Sequence, residues 1–115
     1  MRGQLGLPQG GLSGPAQSHR QVAVARGYTL EVAQRYVDGR QGNGDSVIAE
    51  ACLAKQTAVD TAVWVADQAV QLHGGMGYMR EAEVERHYRD VRILPIGGGA
   101  TEVLTDLAAK LLGYT

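Results

Sequence analysis

The sequence predicts an all-α fold, a helical bundle of three long helices and one short one. Three observations carry this. Apolar residues recur three or four positions apart along most of the chain, the spacing of one helix face. Clusters of glycine and proline interrupt that periodicity. No stretch alternates apolar and polar residues as a half-buried strand does.

The elements follow in order. Residues 1–18, MRGQLGLPQGGLSGPAQS, hold five glycines and two prolines and read as an irregular leader, because Gly and Pro at that density break helix and strand alike. The remainder, 19–115, reads as one helical domain. From His19 to Asp38, Val22, Ala25, Tyr28, Val32 and Tyr36 share a helix face. The run GRQGNG, Gly39 to Gly44, ends that helix and forms a loop. Asp45 or Ser46 suits the N-cap of the next helix, since either oxygen can accept from first-turn N–H groups. That helix carries a seam of Ala51, Ala54, Ala58, Ala62, Val65, Ala69 and Leu72, with a second stripe, Val59, Val63, Ala66 and Val70, beside it. An apolar face this wide requires contacts on two sides. The helix should span roughly 40 Å and stop at His73-Gly74-Gly75, where glycine can take a left-handed conformation.

A turn over 76–80 leads to a short charged helix, EAEVERHYRDV, from Glu81 to Val91. Acids at its start and bases near its end suit the helix dipole, and Glu81 with Arg86 and Glu85 with Arg89 are candidate pairs. Ile93-Leu94-Pro95-Ile96 breaks it, and Gly97-Gly98-Gly99 forms an exposed turn. Thr101 can then cap a last helix carrying Val103, Leu104, Leu107, Ala108 and Leu111, closed by Gly113.

Composition narrows the function classes. A chain of 115 residues makes one domain with a real core. Eleven Lys and Arg stand against 12 Asp and Glu, for a net charge of -1, which excludes the electrostatic footprint of a nucleic-acid or anionic-membrane binder. No apolar run reaches the ~20 residues of a membrane span and no signal peptide opens the chain, so a cytoplasmic location is expected. The single cysteine, Cys52, offers no internal disulfide or zinc framework and reads as a buried, inert thiol. Phenylalanine is absent, so the core must be built from Ala, Val, Leu and Ile. His19, His73 and His87 are too scattered for metal-ligand spacing, and no metal site is expected. No Ser/His/Asp or Cys/His nucleophile pattern is recognisable.

Two glycine clusters remain, each set against a helix end: QLHGGMGY at 71–78 and IGGGATE at 96–102. Glycine lets a ligand approach the backbone with no Cβ in the way, and a helix N-terminus offers unpaired N–H groups to a phosphate or a carbonyl oxygen. Ordinary capping is the other reading of both.

The segment QLHGGMGYMREAEVERHYRDVRILPIGGGATEVLTDLAAKLLGY closely resembles the C-terminal segment of the acyl-CoA dehydrogenase family. Its pattern runs roughly Q-x-x-G-G-x-G-Y-x-x-E-x-x-x-x-R-x-x-R-D, then I-x-x-G-T. Gln71, Gly74, Gly75, Gly77, Tyr78, Glu81, Arg86, Arg89, Asp90, Ile96, Gly99 and Glu102 fit without a gap. The likeness extends over about 23–114, while the leader does not fit, so a shifted frame or truncated gene start is one expectation.

The resemblance implies a part of a C-terminal four-helix domain within a tetrameric, FAD-dependent enzyme. That enzyme desaturates acyl-CoA thioesters: a carboxylate takes the α-proton and the β-hydride passes to the flavin. It implies that Gln71, Gly74 and Gly75 contact the FAD of a neighbouring subunit, with Ala100 and Glu102 near a flavin too. Ala100 stands where the family usually has Thr, so a hydroxyl contact is missing. The base of many members falls at Gly98, which has no side chain and would act through its backbone N–H. Other members carry the base on an earlier helix. The isolated chain is therefore expected to be inactive and to retain no FAD. The second reading is a non-catalytic helical oligomerisation module derived from the same domain.

Overall fold

A computed structural model describes residues 13–39 and 44–114. The described residues are mostly helical, joined by turns at 79–82 and 92–100, with no strand among them. Helix α1 runs Ser13–Asp38, α2 Gly44–His73, α3 Gly75–Tyr78, α4 Glu83–Val91 and α5 Thr101–Leu111. Helix α2 is the axis, and the other four each pack against it.

Several boundaries differ from those the sequence suggests. Residues 13–18, expected in the irregular leader, are the first turns of α1. Pro15 is tolerated there because a first-turn N–H has no intrahelical acceptor to lose. The rest of the leader, and residues 40–43 of the expected loop, lie outside the described residues. Gly39 ends α1 at φ 59°, with its N–H donating to the Arg35 carbonyl at 3.1 Å. The expected turn after the long helix starts with one helical turn, α3. Glu81 precedes α4, whose N-cap is Ala82. Glu81 therefore cannot pair along the helix with Arg86; Glu83, three and four positions away, pairs instead with Arg86 at 3.7 Å and His87 at 3.0 Å. The Glu85–Arg89 pair forms as expected. The last helix, α5, is 11 residues, shorter than a third long helix would be.

The buried core is Ala25, Val32, Val47, Ala49, Cys52, Ala54, Val59, Ala66 and Ala108. Among the described residues nothing larger than Val is buried; Leu53, Leu104 and Leu111 are only half-covered against the Ala49–Cys52–Ala108 cluster. The expected Leu and Ile core is thus reduced to Ala, Val and one thiol. Small side chains draw α5 close to α2 but each contributes little buried area.

The two stripes of α2 divide between core and groove, with Ala54 of the first buried and Ala66 of the second reaching the groove as well. The second stripe supplies buried Val59 and Ala66, while Ala58, Ala62, Val65 and Ala69 of the first floor an open apolar groove of about 590 Å³. Val22, Ala25 and Leu30 of α1 form one wall, and Val84 and Val91 of α4 the other. Between α1 and α2, buried Ala25 and Val32 are joined by a polar fastening: Tyr28 donates to Glu50, and Arg35 lies 3.7 Å from the same carboxylate. Burial, reinforced by Glu50, pushes the Tyr28 phenol up to about 12.

Candidate functional site

The first glycine cluster closes the C-terminus of α2. Gly74 adopts φ 61°, a conformation that favours glycine, and its N–H donates to the Gln71 carbonyl at 3.1 Å. That reverses the chain into α3, whose Gly77 packs back onto the last turn of α2. A Cβ on Gly77 would stand 2.5 Å from the Val70 carbonyl oxygen and 2.9 Å from His73 Cβ. Gly77 is therefore required by the chain's own packing. Gly75 is different: it is exposed, has no positive φ, and a Cβ there would meet nothing within 4 Å. The described residues impose no need for glycine at position 75. Gln71 is exposed in the last turn of α2, beside Gly74 and Gly75.

The second cluster lies between α4 and α5. The Gly97 N–H donates to the Ile93 carbonyl at 2.7 Å, and the Thr101 N–H to the Pro95 carbonyl at 3.1 Å, folding 93–101 into a compact turn. Gly98 and Gly99 take φ 70° and 102°. A Cβ on Gly99 would press on Leu104 at 2.8 Å, whereas one on Gly98 would enter open space. Thr101 does not cap α5 as expected. Ala100 takes the N-cap backbone conformation, and Thr101, the first helical residue, turns its hydroxyl to the Pro95 carbonyl at 3.4 Å. Consequently α5 has no side-chain cap. Glu102 is exposed in the first turn of α5, and among the described residues its carboxylate has no hydrogen-bond partner. Among the same residues no backbone carbonyl accepts from the N–H of Gly98, Gly99 or Ala100. The turn thus presents unpaired donors, at exposed Gly98 and half-buried Gly99 and Ala100, an arrangement that can hold a carbonyl or phosphate oxygen.

The residue the sequence reading missed is Lys55. Its ammonium donates to the carbonyls of Leu94 at 2.8 Å, Gly97 at 3.1 Å and Gly99 at 3.0 Å, holding the glycine turn against α2. A signal was present: the positions three and four away on the helix are Ala51, Cys52, Ala58 and Val59, so the charge had no local acid to pair with.

The two clusters do not meet. Lys55 marks where the second docks on α2, and Gln71 lies sixteen positions further on, about 24 Å along the axis. No group of three or more His, Cys, Asp or Glu able to hold a metal stands together among the described residues.

Comparison with known proteins is consistent with this layout. Residues 14–113 match the model of the acyl-CoA dehydrogenase C-terminal domain. A crystal structure of an acyl-CoA dehydrogenase homologue from Mycobacterium smegmatis superposes with a TM-score of 0.86 at 55% identity, covering 94% of this chain and 27% of that one. The human mitochondrial short-chain specific acyl-CoA dehydrogenase is 46% identical over 61 residues, which is 53% of this chain and 15% of the human protein. A 3-(aryl)acrylate reductase from Clostridium sporogenes is 42% identical over 69 residues, 60% of this chain and 18% of the reductase. The chain therefore spans less than a fifth of these two curated relatives. Through its match to their C-terminal helical domain, the chain belongs to the acyl-CoA dehydrogenase family.

Proposed function

We propose that this chain acts as the C-terminal helical part of a FAD-dependent acyl-CoA dehydrogenase, in the cytoplasm and within a homo-oligomer. In that setting Gln71, Gly74 and Gly75 face the FAD of a neighbouring subunit, while the turn at Gly98–Glu102 lies beside a flavin and the acyl thioester. The observation that carries the reading is the pair of exposed, glycine-lined helix ends, one with a glycine the chain's own packing does not require and one with unpaired N–H donors. Both suit a cofactor and a carbonyl arriving from outside the chain. No helix among the described residues is long and apolar enough to cross a membrane.

FAD, when bound, supplies the acceptor for the hydride that leaves the β-carbon. This chain's contribution is electrostatic. The Gly98 N–H donates to the thioester carbonyl, whose oxygen gains negative charge as the α-proton departs. One such donor is worth about 10²–10³ in rate. The base comes from outside these residues, since Gly98 has no side chain. Glu102 is the nearest downstream acid, and its place in the first turn of α5 aligns it with the helix dipole rather than with the turn. Ala100, lacking a hydroxyl, contributes backbone only.

The test uses a complete dehydrogenase carrying this IGGGATE segment. Glu102→Gln should retain α-proton exchange; loss of exchange with folding and flavin content intact would make Glu102 the base. The 115-residue chain alone should elute from gel filtration without flavin absorbance, because isolated peripheral contacts do not offset the ~4–15 kcal/mol of freedom lost on binding. A yellow isolated chain would refute this.

The open groove on α2 favours a second reading, a non-catalytic oligomerisation module. A complete assembly that binds neither flavin nor acyl-CoA would decide for it.

A further inference from the structure

The three carbonyls gathered by Lys55 belong to the stretch that carries the candidate N–H donors. The peptide bonds here are trans, and in a planar trans peptide the N–H points opposite to the C=O. The Gly97 carbonyl, 3.1 Å from the Lys55 ammonium, fixes the direction of the Gly98 N–H; the Gly99 carbonyl, at 3.0 Å, fixes that of the Ala100 N–H. Both N–H groups therefore point away from the Lys55 ammonium, and neither has a backbone acceptor among the described residues. The third carbonyl, Leu94 at 2.8 Å, precedes Pro95, which has no N–H to direct. An ammonium has three donors, and here each meets one carbonyl.

We propose that Lys55 is the positioning residue of this turn: by holding the Gly97 and Gly99 carbonyls inward, it fixes both peptide planes and aims the Gly98 N–H outward as a donor for an acyl thioester carbonyl. The charge also polarises both peptide units, since hydrogen bonding at a C=O strengthens donation from the N–H of the same amide. Among the described residues no carboxylate pairs with Lys55, so its charge is spent on these carbonyls. Only the ligand is taken from the functional reading above; the geometry of the turn stands without it.

The test begins with amide hydrogen exchange by NMR on the full 115-residue chain. In Lys55→Met, the Gly97 and Thr101 amides, bonded to the Ile93 and Pro95 carbonyls, should exchange at least tenfold faster, and the Gly98 amide proton should shift upfield as its peptide loses polarisation. Amides of Ala108 and Leu111 should stay within threefold. Lys55→Cys in a Cys52→Ala background, aminoethylated to restore an ammonium, should return the Gly97 and Thr101 rates and the Gly98 shift toward the parent. If Lys55→Met does not fold, Lys55→Arg serves the same comparison, keeping the charge but replacing the three-point ammonium by a planar fork, with at least threefold faster exchange expected. Unchanged exchange at Gly97 and Thr101, equal acceleration throughout α5, or no recovery on aminoethylation would each overturn the proposal. In a complete dehydrogenase with this segment, Lys55→Met should lower kcat at least tenfold with KM changed less than threefold. A parent protein without dehydrogenase activity would sink the functional reading while leaving the exchange result to stand or fall alone.

Discussion

Gly77→Ala is the sharpest probe of how the first glycine cluster is built. The added methyl would stand 2.5 Å from the Val70 carbonyl oxygen and 2.9 Å from His73 Cβ. Both neighbours belong to the last turn of α2, so relief requires α3 to move off α2 by several tenths of an ångström. Overpacking of this kind costs about 1–3 kcal/mol. Because the first obstacle is backbone, about 3 kcal/mol is the appropriate end of that range. Alanine's better helix propensity returns about 1 kcal/mol, leaving a net loss of about 2 kcal/mol. With a urea m of about 1.5 kcal/mol/M, the midpoint falls by about 1.3 M. The assay is urea unfolding followed at 222 nm, with Gly75→Ala as the control. A methyl at position 75 meets nothing within 4 Å, so that variant should lie within about 0.5 kcal/mol of the parent. Equal stability of Gly77→Ala and the parent, or an equal cost at both positions, would refute the distinction between a glycine kept for packing and one kept for an outside ligand.

Other outcomes follow from single features. The Tyr28 phenol, raised to about 12 by burial and by Glu50, has a folded pKa above its unfolded value near 10. Its stabilisation is complete below pH 10 and is lost as pH rises through 12; absorbance at 295 nm should show one of the five tyrosines titrating near 12, and Tyr28→Phe should remove that step. Glu50→Gln should cost about 1 kcal/mol by weakening both the Tyr28 and the Arg35 contacts, read as a lower urea midpoint. Gly98→Ala should cost about 1–2 kcal/mol through its left-handed backbone alone, since its methyl enters open space. The open apolar groove should make the chain self-associate: sedimentation equilibrium should give a mass above 12.2 kDa that rises with concentration, and Val65→Asp should return it to a monomer.

What was legible in the sequence was mostly local. The three-and-four spacing located α1, α2 and α5, and the glycines at 39, 74 and 113 marked helix ends, because positive φ is a property of the residue and its neighbours. The two faces of α2 were also visible as stripes, but not which of them would be covered. That depends on where α1, α4 and α5 dock: Ala58, Ala62, Val65 and Ala69 of the first stripe floor the open groove, while its Ala54 is buried. Thr101 misled because N-capping depends on which residue is extended, and Ala100 takes that conformation while Thr101 is already helical. The site was legible as two clusters of glycines with a family pattern. Lys55 escaped notice because its partners are carbonyl oxygens 39 to 44 positions away, and the mark left in the sequence was indirect, a lysine with no acid three or four positions off.

The separation of the clusters constrains any activity built on them. Both are anchored on one continuous helix, the second through Lys55 and the first at the helix's own C-terminus, so their spacing is set by the helical rise. At 1.5 Å and about 100° per residue, one residue inserted between Lys55 and Gln71 would turn one cluster by about 100° relative to the other while lengthening the span by only ~1.5 Å. Helix α2 therefore fixes orientation more stringently than distance. Gln71, Gly74 and Gly75 of the first cluster and Gly97, Gly98 and Glu102 of the second are exposed. A ligand small enough to lie in one turn cannot touch both ends of a ~24 Å interval. On the dehydrogenase reading, one chain completes two sites, one at the C-terminus of α2 and one where Lys55 anchors the second turn. That requires the remainder of each site to come from other parts of the enzyme, and it ties the orientation of neighbouring subunits to the register of a single helix.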